Sequence, residues 1–222
     1  MSTVCLVPAR GGSQGIPRKN VRGICGRPLI AWVLESALES EVFDEVWVST
    51  DDDEIETVAL ASGARVHRRD PATATSEAST ESVVFDFLKT HDPTRVCIVQ
   101  ATSPLTTAEH FRDAYSLMRR EDCDSLVTVT RQHIFLWSTE GEPLNYEPAN
   151  RPRRQDWSGE LVENGAFYFT KVSALNETGH RLGGKCQVYE MPRHCSVDLD
   201  EPSDLITCEA LIRRYRAPTS QR

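Results

Sequence analysis

Short apolar runs recur along the chain, each ending in a polar turn and followed by a stretch whose apolar residues fall at helical spacing. The first covers residues 4–7 and stops at Pro8; strands over 45–49, 65–67, 95–100 and 125–130 follow it. Helices are predicted over 28–40, where Leu29, Ile30, Val33, Leu34, Ala37 and Leu38 share one face, and over 54–62, capped from 50–53 and closed by Gly63. Two more are predicted over 79–89 and 108–120. A run that is apolar throughout is buried on both faces, and strands that alternate with helices are joined by crossovers that leave them parallel. The expectation is an α/β fold of three α/β/α layers with a mostly parallel central sheet. Ligands of such sheets bind beyond the carboxyl ends of the strands, where 11–20, 50–53 and 100–104 all lie.

The loop after the first strand carries the strongest chemical signal. Residues 4–20 read VCLVPARGGSQGIPRKN. Glycines let backbone amides approach an anion, and Arg10 and Lys19 bring positive charge, so the loop reads as a triphosphate cradle. It is not a Walker loop, because Lys19 lacks a preceding glycine and is followed by Asn20. The spacing of Gly11, Gly12 and Gly15 also departs from the dinucleotide fingerprint.

The net charge of −8 argues against nucleic acid or an anionic membrane as partner, so the basic residues that matter act locally. No apolar run approaches the roughly 20 residues of a membrane span, and residues 1–3 lead straight into a strand rather than a signal peptide. The seven cysteines show no paired metal-ligand spacing and are read as small buried hydrophobes in a reducing compartment. From 131 to 159 helical periodicity fades and prolines recur, which marks an inserted arm carrying the basic and aromatic run Arg151–Trp157. Strands resume at 165–169 and 187–191, and a helix closes the chain at 204–215. Ahead of that helix, Asp198 and Asp200 are separated by one residue on an extended segment and project to one face, where they can hold Mg²⁺.

The runs CLVPARGGSQGIPRKN, RPLIAWVLESAL, STDDDEI, IVQATSPL, RPRRQDW, ENGAFYF and SVDLDEPSD together resemble the acylneuraminate cytidylyltransferases, or CMP-sialic acid synthetases, over nearly the whole chain. RPRRQDWSGELVENGAFYF is especially similar to the catalytic domain of the animal enzymes, which carry a phosphatase-like domain after it, whereas this chain ends at Arg222. The resemblance implies a single Rossmann-like nucleotidyltransferase domain over 1–222, with 131–159 as a dimerisation arm reaching into a partner subunit. It implies CMP transfer from CTP to the anomeric hydroxyl of a sialic acid, an N-acylneuraminate or Kdn, with release of pyrophosphate. Arg10, Lys19, Asp198 and Asp200 would be catalytic, and Asp198 and Asp200 would ligate Mg²⁺, for which Mn²⁺ can substitute. The nucleotide would be bound by Ala9, Arg10, Gly11, Gly12, Ser13, Lys19, Asn20, Arg69 and Thr80. The acceptor would meet Gln100, Arg154, Gln155, Tyr168 and Phe169. The implied partners are CTP, a sialic acid and a second copy of the chain, with pairing of dimers into tetramers as an extension.

Two features depart from the family pattern. Gln14 stands where many relatives carry lysine, which leaves Arg10, Arg18 and Lys19 as the charge near the phosphates. The run Asn150-Arg151-Pro152-Arg153-Arg154 is less basic than a strong nuclear import signal, which favours the cytoplasm, with the nucleus as the alternative for an animal protein. The competing readings are the same chemistry on legionaminic, pseudaminic or Kdo-like acids, and a silent nucleotide-binding subunit.

Overall fold

The first apolar run forms β1 (Thr3–Pro8), and the computed structural model, which describes residues 2–13 and 15–216, places it inside a seven-stranded sheet. The loop after β1 leads through a small hairpin, β2 (Gly23–Ile24) with β3 (Arg27–Pro28), into α1 (Leu29–Glu39). Then come β4 (Glu45–Thr50), α2 (Asp53–Ala61), β5 (Arg65–Arg68), α3 (Thr80–Leu88), β6 (Arg95–Val99), α4 (Ala108–Arg120) and β7 (Ser125–Gln132). The chain ends with β8 (Glu160–Lys171), α5 (Val172–Thr178), β9 (Cys186–Met191) and α6 (Pro202–Tyr215). The caps are those the sequence supplies: Asp52 accepts from the amides of Glu54 and Ile55 at the start of α2, and Ser79 accepts from Ser82 at the start of α3.

The strand order is β5-β4-β1-β6-β8-β7-β9. The first four are parallel, and β9 is parallel to β7, as the alternation predicts. The departure is β8, which runs antiparallel between β6 and β7. It is also longer than the 165–169 core read from the sequence, because its first half pairs with β7 at the base of the arm. The β7–β8 register slips between Val127 and Val129, and Thr128 closes the gap: its hydroxyl donates to the Phe167 carbonyl and accepts from the Phe167 amide. Helix α5 was not predicted; it is short and amphipathic over few residues.

Alternation along each strand divides the core between the two faces of the sheet. Cys5, Val7, Val48, Cys97, Val99, Phe167 and Phe169 pack against α1, α2, α4 and α6. Val4, Leu6, Val96, Ile98 and Tyr168 pack against α3 and α5. Cys5 and Cys97 lie opposite each other on β1 and β6, fully buried, and burial raises both thiols above their ordinary range. The end of α6 is fastened by Arg216, whose Nη1 donates to the Pro104 and Thr106 carbonyls at 2.6 and 2.8 Å and whose Nη2 donates to Ser36 Oγ at 2.8 Å.

Strand β7 runs two residues into the segment read from the sequence as an arm. Arg131 and Gln132 belong to β7, where Arg131 pairs with Glu190 of β9 at 2.7 Å. The remainder holds a local aromatic cluster in which Phe135 stacks on Trp157 with ring centres 4.9 Å apart and Arg151 lies 4.1 Å from the centre of the Phe135 ring. Leu136, Trp137 and Leu144 stay exposed at 42, 54 and 63%. Among the described residues, no helix is long and apolar enough to cross a membrane.

Candidate active site

The predicted loops lie at the carboxyl ends of β1, β4 and β6, and hydrogen bonds join the segments that follow β1, β4 and β5. The Ser49 carbonyl accepts from the Ala9 amide at 2.9 Å and from Arg69 Nη2. Gly11 N donates to Asp51 Oδ1 at 3.0 Å, and a Cβ on Gly11 would meet Asp52 Oδ2 at 2.5 Å. Asn20 is buried and its Nδ2 donates to the Arg10 carbonyl at 3.0 Å, so its side chain shapes the loop from within. Gly12 is exposed with nothing within 4 Å of an added Cβ; Ser13 follows it, its amide donating to the Gly11 carbonyl. Gln14 lies outside the described residues.

The loop and the paired aspartates are joined. Lys19 Nζ donates to the Leu199 carbonyl and to Asp200 Oδ1, the latter at 3.2 Å. Gly15 packs so closely on the Asp200 carbonyl that a side chain there would collide with it. Asp198 and Asp200 are exposed on either side of buried Leu199, the alternation expected of an extended segment, and Asp204 accepts from the amides of Asp200 and Glu201 at 2.9 and 2.7 Å. Arg18, counted above with the phosphate-facing charges, turns instead to Asp52 and Glu54 at the start of α2, and this guanidinium holds the Asp52 carboxyl below its usual range.

Two cavities flank this core. The first, about 310 Å³, is lined by Arg10, Arg69, Thr75, Thr80 and Gln100. Arg10 Nη1 donates to the Thr75 carbonyl at 2.7 Å, and Arg69 Nη1 to the Thr73 carbonyl at 3.3 Å. Arg69 is only 7% exposed; burial lowers its pKa to about 10, and its Nε has no hydrogen-bond partner among the described residues. A buried guanidinium with an unused donor is costly unless something completes it. The second cavity, about 400 Å³, is lined by Gln100, Gln132, Glu163, Asn164, Tyr168 and Asp198. Tyr168 donates its hydroxyl to Glu163, and burial with this carboxylate raises the phenol above its ordinary range. Asn164 Nδ2 donates to the Cys195 carbonyl at 3.1 Å, tying β8 to the segment that delivers Asp198. Gln100 lines both cavities.

Three predicted acceptor residues lie elsewhere. Phe169 is fully buried on the opposite face of β8, against Phe43 and Tyr115, because neighbours on a strand point to opposite faces and Tyr168 takes the cavity side. Arg154 and Gln155 are exposed on the short turn Arg154–Asp156 and line neither cavity. Conversely, Glu163 and Asn164 were missed as individual residues, although they stand in the ENGAFYF run.

A family model described as Cytidylyltransferase matches residues 4–213. The chain belongs to the cytidylyltransferase family. Among curated proteins, this cytidylyltransferase is 45% identical over 218 residues to N-acylneuraminate cytidylyltransferase A of Danio rerio, covering 95% of this chain and 50% of that one. It is 43% identical to N-acylneuraminate cytidylyltransferase of Oncorhynchus mykiss over the same shares. It is also 33% identical to pseudaminic acid cytidylyltransferase of Campylobacter jejuni, covering 92% of this chain and 94% of that one. The chain spans about half the length of the fish relatives. Among solved structures, a CMP:2-keto-3-deoxy-manno-octonic acid synthetase complexed with CTP aligns with a TM-score of 0.74 at 19% identity, covering 96% of this chain and 99% of that one. That likeness bears on the fold alone.

Proposed function

We propose that the chain transfers CMP from CTP to the anomeric hydroxyl of a sialic acid, an N-acylneuraminate or Kdn, and releases pyrophosphate. The observation that carries this reading is Gln100, one side chain bordering both a cavity framed by arginines and a second cavity framed by hydrogen-bonding groups and Asp198. Two reactants can therefore be held side by side, which is most of what a nucleotidyl transfer asks of a protein. The 45% identity to a fish N-acylneuraminate cytidylyltransferase supports the choice of acceptor.

In this reading Arg69 and Thr80 hold the nucleoside end. Arg10, Ser13 and the open side of Gly12 face the phosphates, and Lys19 offsets charge as pyrophosphate leaves. Asp198 and Asp200, both exposed on either side of buried Leu199, are the carboxylates that would hold Mg²⁺. Two carboxylates completed by substrate phosphates are how Mg²⁺ is ordinarily held in such sites. When bound, the ion supplies charge neutralisation at the transferring phosphoryl group.

None of the described residues lining the acceptor cavity is basic, whereas a sialic acid carries a carboxylate. The missing cation is Arg154, with Gln155 beside it, supplied by the arm of a second copy; a planar guanidinium matches a carboxylate. The exposed Leu136, Trp137 and Leu144 supply apolar surface for that homodimer. The compartment in this reading is the cytoplasm, which the modest basic run Asn150–Arg154 favours over the nucleus. Incubation with CTP, Mg²⁺ and a panel of N-acetylneuraminic, Kdn, legionaminic, pseudaminic and Kdo acids tests the assignment. Pyrophosphate release with the first two is expected; release only with one of the others moves the substrate, and silence across the panel defeats the reading.

A further inference from the structure

Beneath the Arg69 cavity, three polar side chains from separate elements lie in series, Ser49 and Asp86 buried and His67 partly so. Ser49 Oγ on β4 meets His67 Nδ1 on β5 at 3.1 Å, and His67 Nε2 lies 3.8 Å from Asp86 Oδ2 on α3. The residue types are those of a hydrolytic triad, but the geometry excludes one. Ser49 is fully buried, so no substrate reaches its hydroxyl, and the histidine–aspartate separation is longer than a hydrogen bond.

Asp86 is engaged on a different task. It is 8% exposed, and its Oδ2 accepts from the Asp70 amide at 2.9 Å while its Oδ1 accepts from Lys89 Nζ at 3.0 Å. Asp70 follows Arg69 directly. Its own carboxylate accepts from the Ala72 amide at 2.8 Å, and its carbonyl accepts from the Thr73 hydroxyl at 2.8 Å, so one residue folds the turn Pro71–Thr73. That turn then presents the Thr73 carbonyl to Arg69, and Thr75 just beyond it presents its carbonyl to Arg10. Both guanidinium groups of the nucleotide cavity thus rest on a loop whose first amide is moored to Asp86. The carboxylate also acts through charge, since Asp51 and Asp86 are the anions that favour the protonated form of buried Arg69.

We propose that Asp86 is a positioning residue for the nucleotide: from inside the core it fixes the 70–75 loop and thereby the aim of Arg69 and Arg10, an inference that rests on the nucleotide reading of this cavity. Asp86 touches neither cavity itself. Its effect is therefore confined to one substrate.

The test compares the full chain with D86A and D86N by calorimetric titration of CTP in Mg²⁺ and by steady-state kinetics, with thermal melting as a check on folding. Losing both the mooring and the charge, D86A should raise the Kd and KM for CTP about tenfold, with the acceptor KM and the kcat at saturating CTP held within about twofold. D86N keeps the shape and an acceptor for the Asp70 amide while losing the charge, and should fall between, at about threefold. Because D86N is nearly isosteric, it answers the question even where D86A unfolds. A D86N protein that binds CTP as tightly as the wild type while D86A does likewise overturns the proposal, as does any variant whose two KM values rise together. A wild-type protein that binds no CTP removes the nucleotide reading itself and this inference with it; tight wild-type binding shared by both variants removes only the inference.

Discussion

At the residue scale, the glycine loop divides its labour in a way that a string of letters does not disclose. Gly11 and Gly15 are small because protein atoms press on them, from Asp52 and from the Asp200 carbonyl, whereas Gly12 has open space. Gly15→Ala should therefore displace the Asp200 segment and cost about 1–3 kcal/mol in stability along with activity, as overpacking does. Gly12→Ala should leave the melting temperature unchanged and weaken CTP binding, because the new methyl meets only the ligand. Equal melting shifts in the two variants would contradict this division. The sequence singled out the loop through Arg10, Lys19 and the glycines and the segment through Asp198 and Asp200, and the structure joins the two through Lys19 and Asp200. The assignment of Phe169 to the acceptor wall was wrong for a reason also legible in the sequence: Tyr168 and Phe169 are consecutive on a strand and cannot share a face. Arg18 shows the limit of counting charges, since only the fold reveals that Asp52 and Glu54 consume it.

At the element scale, α4 carries a capping arrangement with a titratable member. Thr107 accepts from the His110 amide at 3.4 Å, and the Thr107 amide donates to His110 Nδ1 at 3.2 Å, which requires a neutral imidazole. Burial, with His194 and Arg216 nearby, lowers the His110 pKa to about 4, while Asp113 opposes the shift. An unfolded chain takes up this proton below about pH 6.5 and the folded one refuses it, so stability is retained above pH 6.5 and falls as pH drops towards 4, by up to about 3 kcal/mol. His110→Gln keeps an acceptor at the same point without titrating and should flatten that part of the profile in urea melts at pH 4.5 and 7. An undiminished loss of stability at pH 4.5 in the variant would put its source elsewhere. The helices and parallel strands were readable because periodicity and caps are local. The insertion of β8 between β6 and β7 was not, because it depends on pairing across the long arm.

At the scale of the whole molecule, one copy assembles two adjoining cavities at the carboxyl edge of its sheet, and none of the described residues lining the one beside Asp198 is basic. In the proposed homodimer Arg154 of a second copy completes it, and this can be tested by complementation. Arg154→Ala alone should lose sugar affinity, and Asp200→Asn alone should lose turnover. Co-expressed, they should recover about a quarter of wild-type activity, since half of random dimers are mixed and each mixed dimer has one intact site. No recovery would place Arg154 in its own subunit's site or outside the reaction. The most direct test of the central claim is phosphorus NMR of the chain turning over CTP, Mg²⁺ and N-acetylneuraminic acid. Attack at the α-phosphorus predicts one new phosphodiester resonance and pyrophosphate in equal amounts, both abolished by a chelator; CDP, inorganic phosphate or an unchanged CTP spectrum would contradict it.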